Sequence, residues 1–482
     1  MLIKDEKLSL AIHSQLNIKE MDEIKEEDML SLTSLNARKQ GIFDISGLEL
    51  ATNLEYLDLT GNNIHDITAL TNLTKLRNIN LSKNQLEDLK PFTNLIKLER
   101  LDISFNSLYL LNLEPLSNLH ELIEINLNDS KINCIKPISK LTNLSILHLG
   151  IENGHFDLKP LVNLSSLKEL CLAKMWMYEL DSIAKLTSLT RLDISTNLLS
   201  DISVLANFKN LKHLDISNNE YLSDFSPITN LTNLEILNIS YNYVKDFKFL
   251  TSLTKLKDLR ACFVGLKDAT VFEKLTNLSK LDASNNLLLN VNILSNLINL
   301  EYLKLSKTQI KDICFITKLN KLTNLNLHNN AINDISCLAN TPNILALDLS
   351  DNRIDNIEVL SNLQNLEVLD LSNNGISDLT PLTYLSNLGS LNLYNNVVCD
   401  LKPIKNLINL TSLRLDHNSI IDLTPLRHLE YLSGLGLKGN YIIDVEPLKD
   451  LLNLYELRLE DNPIQNLATL SELEHYRDFS AD

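Results

Sequence analysis

A period of 22 residues constrains this chain more than any other feature of it. Shifted by one period, the sequence matches itself. Leu54, Leu57, Leu59, Asn62, Ile64, Asp66, Ile67, Leu70 and Leu73 are followed by Leu76, Ile79, Leu81, Asn84, Leu86, Asp88, Leu89, Phe92 and Leu95. Twenty such units begin at residues 32, 54, 76, 98, 122, 144, 167, 189, 211, 234, 256, 278, 300, 322, 344, 366, 388, 410, 432 and 454. Those at 98 (24 residues), 144 and 211 (23 each) are longer, and the last runs into the tail. A unit this short cannot bury an apolar face alone, so only stacking on its neighbours makes a core.

Leu57-x-Leu59 alternates with period two and therefore reads as a short strand with both leucines on one side. A strand of that length is unstable by itself, and stacked copies are expected to pair in parallel. With strands about 4.8 Å apart, twenty units span on the order of 90 Å of sheet. Asparagine fills the ninth position in 14 of the 20 units. Its amide can both donate and accept, which suits the bend that leaves the strand with unpaired backbone groups. Proline recurs near the sixteenth position, at Pro91, Pro137, Pro160, Pro227, Pro381, Pro403, Pro425 and Pro447. It can open a short helical turn there because no N–H is required.

The pattern L-x-x-L-x-L-x-x-N-x-I-x-D-I-x-x-L-x-x-L, clean in 54–75, 322–343 and 366–387, resembles the 22-residue class of leucine-rich repeats. It looks most like the bacterial internalins; eukaryotic regulatory subunits of protein phosphatase-1 share the repeat length. Before the first repeat, Leu8, Ile12 and Leu16 lie on one helical face, and Ile24, Met29 and Leu30 could continue a second helix into Leu32. The stretch from Asp5 to Leu48 is similar to the internalin N-terminal cap. The resemblance implies an α/β fold: a leucine-rich-repeat solenoid, a curved horseshoe of about 20 repeats with a parallel concave β-sheet and short helical or 3-10 turns on the convex side. The expected division is 1–31 as helical cap, 32–473 as solenoid and 474–482 as tail.

Composition narrows function. The net charge of -17 opposes nucleic-acid binding, which needs clustered cations. No apolar run is long enough to span a membrane. Charges interrupt the N-terminal stretch where a secretory signal would lie, so the chain as written is expected in the cytoplasm, and secretion or surface display would require a start further upstream. The six cysteines, Cys134, Cys171, Cys262, Cys314, Cys337 and Cys399, include no C-x-x-C pair and no regular disulfide framework, and free thiols fit a reducing compartment. No phosphate loop, metal motif or cofactor motif is present.

Two surface features stand out. The fifth position is Asp or Asn in 13 units and reads as a solvated ladder more than as an acidic docking track. In its midst His148, Cys171, Asp193 and Asp215 follow one another, which brings together the residue types of a nucleophilic row but supplies no oxyanion hole. The second feature is aromatic. Phe105, Ile151, Tyr241 and Phe263 fill exposed eighth positions, Trp176 and Tyr178 interrupt the repeat at 167, Tyr243 and Tyr394 lie on the same side, and Arg191 and Arg260 share the strand face. Trp, Tyr and Arg are the usual energetic anchors of protein interfaces. The reading is a non-enzymatic, monomeric scaffold that recognises a protein partner on the concave face. Its alternatives are an internalin-like exported factor binding a host surface receptor, or a regulatory subunit of an enzyme such as a phosphatase.

Overall fold

The computed structural model describes residues 2–106, 108–132, 134–150 and 157–470 and the backbone of 478–480. The chain divides into two compact units, Met1–Phe249 and Leu250–Asp482.

The N-terminal unit opens with two helices, α1 (Glu6–Leu16) and α2 (Glu26–Ser31). Leu8 and Ile12 of α1 and Met29 of α2 are buried. Leu30, which the spacing placed with them, instead faces solvent, because adjacent helical positions point about 100° apart and Met29 takes the inward one. Asp5 caps α1 by accepting from the amides of Lys7 (3.0 Å) and Leu8 (3.1 Å). After the helices come ten three-residue strands, from β1 (Ser34–Asn36) to β10 (Ile236–Asn238), one per repeat. Each pairs in parallel with the next, Leu35 opposite Leu57 and Leu57 opposite Ile79, at one-repeat register. The central residue of each strand points into the core.

The repeat at 54 shows how a turn is filled. Leu54, Leu57, Leu59, Ile64, Ile67, Leu70 and Leu73 are all buried. Opposite the strands the backbone tightens into 3-10 turns such as Lys90–Phe92, with Pro91 at its start. Asn62 stitches one turn to the next. Its Nδ2 donates to Leu59 O (2.8 Å) in its own repeat and to Ala37 O (2.9 Å) in the preceding one, while Oδ1 accepts from Gln40 N (3.1 Å) and Ile42 N (3.0 Å). All four hydrogen-bonding capacities of the amide are used, which only Asn at that position achieves. A second ladder runs along the opposite edge, where Asn210 donates to Thr187 O and Asn143 to His120 O, and these asparagines recur at the twenty-second position of the repeat, as at Asn277 and Asn299.

The C-terminal unit repeats this arrangement from β11 (Asp258–Arg260) to β21 (Asp478–Ser480), again in parallel, with Leu281 opposite Leu303. The Asn ladder continues through Asn330, Asn352 and Asn374, each donating to two leucine carbonyls one turn apart. One expectation fails here. Cys314 and Cys337 form a disulfide, with Cα atoms 5.1 Å apart. They lie on adjacent turns at nearly the same repeat position, within the separation a disulfide spans, so two of the six cysteines are not free thiols.

Candidate protein-binding surface

The fifth-position carboxylates are bound into the sheet. Asp102 Oδ1 accepts from Ser104 N (2.9 Å) and Ser104 Oγ (2.6 Å). Its Oδ2 accepts from Asn126 Nδ2 (3.1 Å) on the next strand, and Asn238 makes the same bond to Asp215 (2.9 Å). Asp58 pairs with Arg38, and although burial would raise its pKa, bonds from Arg38 and Thr60 hold it low. From Asn36 to Asn126, Asp alternates with Asn, which keeps like charges from facing each other on adjacent strands. This is the ladder reading, with a structural function for each oxygen.

The row of His148, Cys171 and Asp193 does form on β6 (Ile146–His148), β7 (Glu169–Cys171) and β8 (Arg191–Asp193), each residue opposite the next. Its chemistry is wrong for nucleophilic attack. His148 Nε2 faces Glu169 Oε1 (3.0 Å) and no hydrogen bond joins it to the thiol. Cys171 Sγ donates to Asp193 Oδ2 at 3.8 Å. Burial first, and the Asp193 carboxylate second, push the thiol up to about 12. A thiol held protonated is inert. Arg191 lies 3.5 Å from Glu169 and contacts His213 Nδ1 at 3.4 Å, so its charge is engaged within the sheet. Burial and Arg191 together hold the His213 pKa below its usual value.

The aromatic residues sit beside the strand face. In the N-terminal unit Phe105 and Tyr241 have φ of 56° and 58°, and Trp176 has 53°. This left-handed backbone is costly for bulky residues, and it fixes the direction in which each ring projects. Trp176 is 48% exposed, Tyr178 65%, Tyr241 56% and Tyr243 67%. The repeat at 167 carries Met175 in place of the ladder Asn and buries it. Asn197 of the next turn still closes this bend by accepting from Met175 N (3.1 Å) and Met177 N (3.0 Å). Lys83 Nζ lies 5.4 Å from the Phe105 ring centroid. Tyr221, which the sequence reading passed over, is exposed on the same unit, close enough to Tyr178 for electrostatic interaction. It lies in the lengthened repeat at 211, and an aromatic residue in a repeat of irregular length was the signal available. Ile151 lies outside the described residues.

Three candidates belong to the C-terminal unit. Phe263 is exposed with φ of 53°. Arg260 pairs with Asp258 (3.3 Å). Tyr394 packs edge-on against His417, ring centroids 5.3 Å apart. Among the described residues no helix is long and apolar enough to cross a membrane.

A sheet of one strand per 22-residue turn, closed by an asparagine ladder and faced by exposed aromatic residues, defines a leucine-rich-repeat solenoid. The family described as Leucine Rich repeats (2 copies) matches residues 52–94, 209–252, 342–387 and 364–406. An LRR protein of Leptospira interrogans is 26% identical, with 76% of this chain and 97% of that one covered and a TM-score of 0.67. The LRR ectodomain of a plant membrane receptor kinase from Arabidopsis thaliana is 21% identical, with 90% and 62% covered and a TM-score of 0.62, which shows the fold alone. An internalin, InlF, from Listeria monocytogenes is 27% identical, with 90% and 95% covered and a TM-score of 0.41. No curated protein matches the chain. The chain carries leucine-rich repeats and has the leucine-rich-repeat solenoid fold.

Proposed function

We propose that this chain is a non-enzymatic scaffold that binds a protein partner on the strand face of its repeats, with the aromatic flank of the N-terminal unit as anchor. The carrying observation is the set of Trp176, Tyr178, Tyr241 and Tyr243, all solvent-exposed on a rigid ladder. Large aromatic rings held in place lose little entropy on docking and desolvate much area. The acidic chain disfavours nucleic acid as that partner, and the scaffold is expected to be monomeric. The test compares partner recovery by wild type and by a Trp176→Ala, Tyr243→Ala variant whose circular dichroism is unchanged. Equal recovery would reject the aromatic anchor.

The Cys314–Cys337 disulfide favours the exported, internalin-like version, in which the partner is a host surface receptor, over a cytoplasmic enzyme regulator. Such bonds persist in oxidising compartments and are rare in the cytosol. Thiol-alkylation mass spectrometry on protein taken from its native host decides this. Both cysteines alkylated without prior reduction would return the chain to the cytoplasmic reading.

A further inference from the structure

We infer that the strand face of the C-terminal unit holds a socket for one basic side chain, a lysine or arginine of the protein partner. This rests on the scaffold reading and adds the chemistry of one contact. The socket is an open cavity of about 300 Å³ over four neighbouring strands, with Tyr302, Lys304, Ala346, Asp348, Val368 and Asp370 among its lining residues. It exists because the small side chain of Ala346 leaves a gap between Asn324 and Val368, its opposite numbers on the flanking strands. The space admits one long side chain. Its walls are apolar enough to receive an aliphatic stem.

The charge points to a cation. Asp348 stands opposite Asp370 on adjacent strands. Among the described strands the other such pair is Asp193 opposite Asp215 in the N-terminal unit; the remaining fifth-position carboxylates have no carboxylate opposite them, as Asp102 has Asn126. Here their hydrogen-bond partners are neutral: Ser350 and Asn326 (2.8 Å) for Asp348, Ser372 and Asn392 (2.9 Å) for Asp370. Among the described residues neither carboxylate forms an ion pair. Like charges directly opposite each other destabilise a sheet, and a guanidinium or ammonium between them removes that cost. Lys304 does not supply it, since its Nζ lies 5.3 Å from the Tyr302 ring centroid, turned toward that residue.

The test uses the full chain with Ala and Val methyl groups labelled, titrated by NMR with Nα-acetyl-arginine methylamide. The Ala346 and Val368 methyl resonances are expected to shift saturably. Asp348→Asn and Asp370→Asn should each weaken binding by about fivefold or more, the loss of one charge-assisted contact. In both variants Oδ1 can still accept the backbone amide, as it does at Asn326 and Asn392, but the bond from the neighbouring Asn Nδ2 is lost, so circular dichroism checks that the fold is kept. Ala346→Tyr should abolish binding with both carboxylates intact, and Tyr302 shows that this position accepts a tyrosine. Lys304→Gln should strengthen it. No saturable shift, equal binding of Nα-acetyl-norleucine methylamide, indifference to both Asn variants, or weakening by Lys304→Gln would each overturn the socket. Partner capture that still depends on Trp176 would leave the scaffold reading standing in any of those cases.

Discussion

Asp5 Oδ2 accepts the backbone N–H of Phe43 at 3.0 Å, across 38 residues of chain, while Oδ1 caps α1. One carboxylate therefore ties the helical cap to the first repeat. Burial would raise its pKa, but four backbone amides, from Phe43, Leu8, Asp44 and Lys7, outweigh that and hold it below the ordinary value of 3.8. A group with a depressed folded pKa contributes stability above its unfolded pKa and loses it as the pH falls through the folded one. Acid should loosen the cap first. Asp5→Ala is expected to cost about 1–3 kcal/mol, the loss of a cap plus unsatisfied amides. Urea denaturation read at the N-terminal unit checks this; a change under about 0.5 kcal/mol would contradict it.

His13 should give the opposite pH slope. The ring is buried, with Nδ1 2.8 Å from Ser9 O and Nε2 2.8 Å from Asp22 O. Both nitrogens face acceptors, so only the imidazolium satisfies both. The bonds to Asp22 and Ser9 raise the pKa above 6.5, against burial. Stability from this contact is complete below the unfolded pKa and fades as the pH rises through the folded one. Amide exchange in α1 is expected to accelerate between mildly acidic and mildly alkaline pH, and His13→Gln should flatten that dependence. An unchanged slope in the variant would refute the assignment.

The asparagine ladder should carry unequal loads on its two edges. Asn219 is buried and donates to Ile194 O and Ile216 O (3.1 Å each) while accepting from Leu199 N (3.1 Å). Asn219→Ala leaves those groups buried and unpaired, at about 2–3 kcal/mol. Asn210 bonds Thr187 O in an exposed position where water replaces the amide, so Asn210→Ala should cost under about 1 kcal/mol. Equal midpoint shifts in urea would remove the distinction.

Cysteine reactivity offers a direct check on the strand face. Cys134 and Cys399 are exposed, whereas Cys171 is a thiol pushed up to about 12. Iodoacetamide at mildly alkaline pH should modify the first two well before Cys171. Peptide mass spectrometry that finds Cys171 labelled as fast as Cys399 would reopen its candidacy as a nucleophile.

Much of the fold is legible along the chain because each repeat is local. Strand, bend and turn follow within 22 residues, and Leu57, Leu59, Asn62 and Pro91 each carry their structural reason in their spacing. The row from His148 to Asp193 was legible for the same reason, as register in a parallel stack equals the period. What those side chains do was not legible. Protonation of Cys171 depends on its burial and on the Asp193 carboxylate, neither of which a motif records.

The order of the repeats, the buried aliphatic columns and the asparagine at most bends were determined by the sequence alone, since register in a stack of repeats follows the period. Tertiary structure decided the rest: the Asp5–Phe43 tie, the bridge between Cys314 and Cys337, the Asp–Asn pairing across strands and the gap above Ala346. These depend on distances between side chains from different turns, and a period places residues in register without saying how far each side chain reaches or what it meets.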